Sequence, residues 1–112
     1  MNVEQFFSEL GWRHFPPSGG DRGARALFSL RVDGEGVTNC QCNDKLSLHA
    51  TWYDEVIGSY HLRSVEFDIQ GETADGRWVK LKAYSIDPDE LTPAIVDDIK
   101  ARLMRAWEAV QP

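Results

Sequence analysis

A chain of 112 residues with an ordinary apolar content, 42% hydrophobic, is one domain that can bury about two thirds of its unfolded surface without metal or disulfide staples. Four Trp, five Phe and three Tyr supply a core with bulky side chains, which excludes a disordered tail. A formal net charge of −6 excludes a binder of the nucleic-acid backbone, which would depend on clustered Lys and Arg, and favours a basic protein partner.

The charge is unevenly spread: through Arg31 there are four Lys or Arg against three Asp or Glu, and the remainder is acidic. The opening NVEQFFSELGW has no basic lead, long apolar run or small-residue cleavage site, and no window approaches the ~18 apolar residues of a membrane span. Cys40 and Cys42, one residue apart, are not spaced as a secreted disulfide framework. These features predict a cytoplasmic protein, with neither a membrane nor nucleic acid among its partners.

In chain order, Asn2 is placed to cap a short helix from Val3 to about Leu10, with Gln5 where it can reach back to the cap and Gly11 as the stop. Trp12 and Phe15 then pin the helix exit to the core. PPSGGDRG breaks regular structure and predicts a surface loop; it lacks the Lys-Ser/Thr ending and the preceding strand of a phosphate-cradling loop. From Ala26 the period becomes two, with Phe28, Leu30 and Val32 inward. Asp33-Gly34 reads as a two-residue turn that would set Leu30 opposite Val37, giving a strand from Val37 to Cys42. Asn43-Asp44 reads as the next turn and Lys45 to about Tyr53 as a third strand, with Leu46, Leu48, Ala50 and Trp52 inward and Ser47, His49, Thr51 and Tyr53 outward.

Asp54 to Ser59 reads as a linker. In RSVEFDIQ, Val65, Phe67 and Ile69 point inward. In WVKLKAYSI, Val79, Leu81 and Ala83 point inward and Trp78, Lys80, Lys82 and Tyr84 outward. A two-residue turn at Asp75-Gly76 would mix the two faces, so a three-residue loop or, preferably, a bulge at Gly71 is expected. Glu66, Asp68 and Glu72 would then share a solvated face with Lys80 and Lys82 and form ion pairs. Finally, Thr92 caps a helix opened by Pro93, whose Ile95, Val96, Ile99, Leu103, Trp107 and Val110 make one apolar stripe. The fold class expected is α+β: an antiparallel sheet of about five strands (meander plus hairpin), a short N-terminal helix, and a long C-terminal amphipathic helix across one face.

Three clusters bear on function. Cys40, Cys42 and His49 could share one sheet face, where thiolates and an imidazole suit zinc or another soft metal, with His61 as a fourth ligand only if its strand comes alongside. A lone Cys-x-Cys pair lacks the paired knuckles of a zinc site, so no metal or other cofactor is predicted. Asp54, Glu55 and His61 flank one connection, but no histidine lies in a catalytic motif, and an enzyme is not expected. Tyr53, Tyr60, Leu62, Trp78, Lys80, Lys82 and Tyr84 fall on the outer sheet face, and uncovered aromatics with a charged rim are what partner surfaces look like. The leading expectation is therefore a non-catalytic partner-binding protein of the adaptor, chaperone, immunity or inhibitor type. Its partner would be a protein, a basic one by charge, or a second copy of the chain. The alternative is a small-ligand or metal-binding domain, or a minor enzyme, around Cys40, Cys42 and His49.

Overall fold

A computed structural model describes residues 2–16, 23–34 and 44–111. Five antiparallel strands form one sheet in sequential order: β1 (Arg13–Phe15), β2 (Ala24–Gly34), β3 (Asp44–Ile57), β4 (Tyr60–Glu72) and β5 (Trp78–Ile86). Two helices, α1 (Val3–Glu9) and α2 (Pro93–Ala109), cover one face, so the α+β class stands as expected.

The helix ends follow their capping residues. The Asn2 side chain accepts from the Gln5 backbone N–H at 2.9 Å, and Thr92 Oγ1 accepts from Ile95 N–H at 3.2 Å. Gln5 does not reach back to the cap; its Nε2 donates to Glu9 Oε1 one turn on. Gly11 takes φ +84°, the left-handed conformation that turns the chain out of α1 into β1. On α2 the buried stripe is Val96, Ile99, Leu103 and Trp107, with Ile95 left exposed at its edge.

Aromatic rings from separate elements close the core. Phe7 of α1 stacks on Phe28 of β2 with centroids 4.6 Å apart, while Trp12 meets both Phe7 and Phe67 edge-on. Each such ring, wholly removed from water, stabilises by roughly 1.5 to 3 kcal/mol before entropy is subtracted. Ala26, Leu48, Ala50, Val65 and Ile69 add to the sheet's buried contribution, and α2 lies against β4 and β5.

The sheet departs from expectation in five places. The chain after α1, expected only to pin the helix exit, is strand β1 and pairs with β2, Arg13 opposite Ser29. Asp33-Gly34 is not a turn: β2 runs through it, and Leu30 stands opposite Leu48 of β3, not Val37. The expected strand from Val37 to Cys42 lies outside the described residues. The expected linker from Asp54 is strand, continuing β3 to Ile57 and turning through Gly58-Ser59 into β4, with Gly58 at φ +62° as a tight hairpin requires. Gly71 is a regular position opposite Leu46 and Val79, because the loop Thr73–Arg77, five residues long, already restores the parity of the faces. The bulge sits instead on β5, where Asp68 pairs with Lys82 but Phe67 with Tyr84.

Candidate functional site

The bulge that admits Ala83 as an extra residue turns Tyr84 over. Tyr84 lies on the helix-covered face against the core, with the Arg102 guanidinium 5.7 Å from its ring centroid. It therefore leaves the outer-face group to which alternation assigned it. The Arg102 guanidinium is held above its ordinary pKa, first by its hydrogen bond to Tyr84 and then by Asp98, which it meets at 3.0 Å.

The remaining outer-face residues do not form one patch. Tyr60 opens β4 and Trp78 stands opposite Glu72 at its close, twelve residues along the same strand, or about 40 Å. Trp78 is 58% exposed at that far end, and Lys80 and Lys82 follow it on β5 in register with Gln70 and Asp68. Tyr53, Leu62 and Tyr60 belong to the other end, on the β3–β4 hairpin.

Between these ends the outer face is polar and buried. Ser29, Ser47, His49, Thr51 and Asp68 are all under a tenth exposed. Gln70 Nε2 lies 2.7 Å from His49 Nδ1 and 3.4 Å from Asp68 Oδ1. A carboxylate oxygen only accepts, so the amide end facing Asp68 is the amino group. His49 Nε2 lies 3.5 Å from Ser47 Oγ, and its Nδ1 lies 3.3 Å from Asp68 Oδ1 with Gln70 beside both. Serine, histidine and aspartate stand in the order of a nucleophile, its base and an orienting acid, but all three are under a tenth exposed and Gln70 crowds the nitrogen that faces the acid. The network is a satisfied buried cluster, the condition under which buried polar groups do not destabilise. Asp68, expected on a solvated face, is buried and contacts Gln70 and His49.

The same geometry bears on metal binding. Both ring nitrogens of His49 are engaged by protein groups, and His61 lies on the opposite sheet face, so the two imidazoles do not converge. Cys40 and Cys42 lie outside the described residues. Among the described residues no group of three His, Cys, Asp or Glu is placed to hold a metal ion.

One signal in the sequence marks the buried polar stripe. The outward residues of β3 are Ser47, His49 and Thr51, whereas those of β5 include Lys80 and Lys82. Outer residues other than Lys, Asp or Glu can be buried once their hydrogen bonds are made within the protein.

Among the described residues, the hairpin is the most exposed apolar feature. β2 pairs with β3 only as far as Tyr53, and β5 pairs with β4 only from Val65, so beyond them β3 and β4 continue as a two-stranded ribbon. Its base is braced. Arg63 forms two hydrogen bonds to Asp89 in the 3-10 turn Pro88–Glu90, at 3.1 and 3.4 Å, and Glu55 closes on Gly23. Asp54 pairs with His61, and this hydrogen bond, ahead of the nearby positive charges, holds the Asp54 carboxyl below its ordinary range. The tip carries Val56, Ile57 and Tyr60, exposed by 68%, 57% and 64%. Ile57 and Tyr60 point to the outer face and Val56 to the other, beside His61. The sequence reading missed Val56 and Ile57 because Asp54 and Glu55 just before them resemble a solvated linker.

Comparison with family models, with curated proteins and with solved structures gives no significant match. What the geometry defines is a class: an α+β domain with helices on one sheet face, a closed polar cluster on the other, and a projecting apolar hairpin.

Proposed function

We propose that this chain is a non-catalytic partner-binding domain that inserts its β3–β4 hairpin into an apolar cleft on a basic protein. The observation that carries this reading is the exposure of Val56, Ile57 and Tyr60 at the end of a braced ribbon. Large side chains left in water at a rigid tip gain about 25 cal/mol per Å2 when a partner covers them. A tip held by its own hairpin loses little freedom on docking. Tyr53 and Leu62 extend the same outer face toward the body, and Tyr residues suit such contacts because they bring area with few rotors. The partner's basic character follows from the net charge of −6 and from Asp54 and Glu55 at the ribbon's base.

A hairpin in a cleft buries both of its faces. Tip-to-tip pairing of two copies would bury only one, so a cleft on a different protein fits the hairpin better. Among the described residues no helix is long and apolar enough to cross a membrane.

The test is quantitative affinity capture from native lysate with three baits: the wild type, a double variant Ile57→Asp with Tyr60→Asp, and Trp78→Ala at the opposite end. The expected result is a protein captured by the wild type and Trp78→Ala and lost with the tip variant, its binding weakening as salt rises. Capture that survives the tip variant, or is lost with Trp78→Ala, rejects this reading.

A further inference from the structure

β5 is one of the sheet's two edges, and it is nine residues long where the other edge strand, β1, has three. A strand with no neighbour on one side leaves every second N–H and C=O on that side for another chain to pair with. Among the described residues no backbone group of β5 bonds outside its ladder with β4. The bulge at Ala83 breaks the regular spacing, so the open ladder is Trp78 to Lys82, about 17 Å long.

Both faces of this edge suit a further strand. On the helix-covered face Val79 and Leu81 pack against the core but stay half-exposed, whereas Ile69, directly opposite Leu81 on β4, is wholly buried. The difference is the missing neighbour. On the outer face Trp78 is exposed, and Lys80 is exposed with no ion pair among the described residues. Lys82 takes the next outward register position. From Arg77 to Ile86 the chain has three Lys or Arg and no Asp or Glu, in a protein of net charge −6. Arg77 is engaged by Asp75, so the lysine positions set the sign of the edge. Their partners on β4 are Gln70 and the buried Asp68, while the exposed Glu72 stands opposite Trp78.

We infer that β5 takes up an acidic extended segment of another protein as a sixth strand, with acidic side chains beside Lys80 and the Lys82 position and apolar side chains beside Val79 and Leu81. Main-chain pairing supplies the affinity of such an added strand, and the alternation of its side chains supplies the specificity. Two copies of β5 joined about their middle would set lysine against lysine, which makes a second copy of the chain a poor occupant and an acidic strand the complementary one. Trp78 and Lys80 lie toward the end of β4 away from the hairpin tip, and occupancy of this edge is independent of the partner reading.

The test is a titration of 15N-labelled protein with three capped hexapeptides, read by amide shifts and amide hydrogen exchange. One alternates glutamate with valine, one alternates lysine with valine, and one carries the glutamates and valines of the first in two blocks. The alternating glutamate peptide is expected to bind saturably with a Kd of about 1 mM and to slow exchange at alternate amides between Trp78 and Lys82. The block peptide, equal in charge but without alternation, and the lysine peptide should each bind more weakly by about tenfold. Lys80→Glu, at an exposed and unpaired position, keeps the fold and should weaken the alternating glutamate peptide about tenfold while strengthening the lysine one. Ile57→Asp with Tyr60→Asp should leave all these affinities unchanged. Equal affinities in the wild type and Lys80→Glu, equal affinities for the alternating and block peptides, or no slowed exchange on β5 overturns the inference. So does a dimer of the free protein, seen by sedimentation, that protects the same amides, since it gives the edge to a second copy.

Discussion

The two hairpins at opposite ends of β4 are built on opposite principles. The β4–β5 loop is longer and tied down. The Thr73 backbone N–H donates to Arg77 O at 2.7 Å, Arg77 N–H returns to Thr73 Oγ1 at 3.1 Å, and the Thr73 hydroxyl donates to Asp75. Arg77 Nε meets Asp75 at 2.8 Å, and Ala74 is held to Gln111 beyond α2. The β3–β4 turn is the shortest the chain can make, Gly58-Ser59, and beyond its braced base its apolar side chains face solvent. One loop spends its polar groups on itself and on the helix; the other offers apolar area outward. Closure of the fold therefore depends on the first end, and an intermolecular role belongs to the second.

The largest expected effect comes from disturbing the closed end. Gly71 is buried between strands, and a Cβ there would meet the Lys45 carbonyl oxygen at 2.4 Å and Leu46 Cδ1 at 2.9 Å. Backbone cannot yield as a flexible side chain would, so Gly71→Ala should destabilise by about 3 kcal/mol in urea unfolding. A loss under about 1 kcal/mol would show that the β3–β4 ladder gives way more easily than its neighbours imply.

Thr73→Val comes next. It keeps shape but removes the hydroxyl that serves Asp75 and Arg77, leaving the Arg77 N–H without that acceptor, and should cost about 1 to 2 kcal/mol by the same measurement. By contrast, the Ile57→Asp, Tyr60→Asp variant should shift unfolding by no more than about 0.5 kcal/mol. If the tip variant instead destabilises as much as Thr73→Val, the tip packs on something within the chain and the contrast between the ends is lost.

What could be read from the sequence follows from how local each signal is. Both helix caps, the α2 stripe and the inward residues of β4 were legible because a cap needs only its own turn and periodicity needs only a buried face. The pairing of β2 with β3 was not, since Asp33-Gly34 has the composition of a turn and nothing nearby says that the strand continues. Tyr84 was misassigned because one extra residue at Ala83 reverses the alternation after it, and alanine carries no mark of a bulge. In the candidate site, Tyr60 and Leu62 were legible by parity. Val56 and Ile57 were not, because a ribbon exposed on both faces has no reason to alternate. The buried outer middle was marked only by the absence of Lys, Asp and Glu among Ser47, His49 and Thr51, a faint signal because serine and threonine are as common on surfaces as in closed polar clusters.

The smallest effect distinguishes the ends by pH. At the closed loop the Asp75 carboxyl is held below the ordinary value of 3.8, first by the hydrogen bond from Thr73 and then by Arg77. A carboxyl whose pKa is lower folded than unfolded adds stability above the unfolded value and loses it as pH falls through the folded one. The contribution of Asp75 is therefore complete at neutral pH and disappears only below the usual carboxylate range. Asp75 is exposed, so solvent screening keeps the effect on unfolding small, and the direct measurement is its own titration by carboxyl-detected NMR. Thr73→Val should move that midpoint upward toward the ordinary value, with Arg77 still holding part of the depression, and Arg77→Gln should move it in the same direction. Neither substitution should move the midpoint of Asp54, whose depression comes from His61 at the other end of the sheet. A shift of Asp54 in Thr73→Val would mean that the two hairpins are coupled through β4, in which case the closed end would set the geometry of the exposed one.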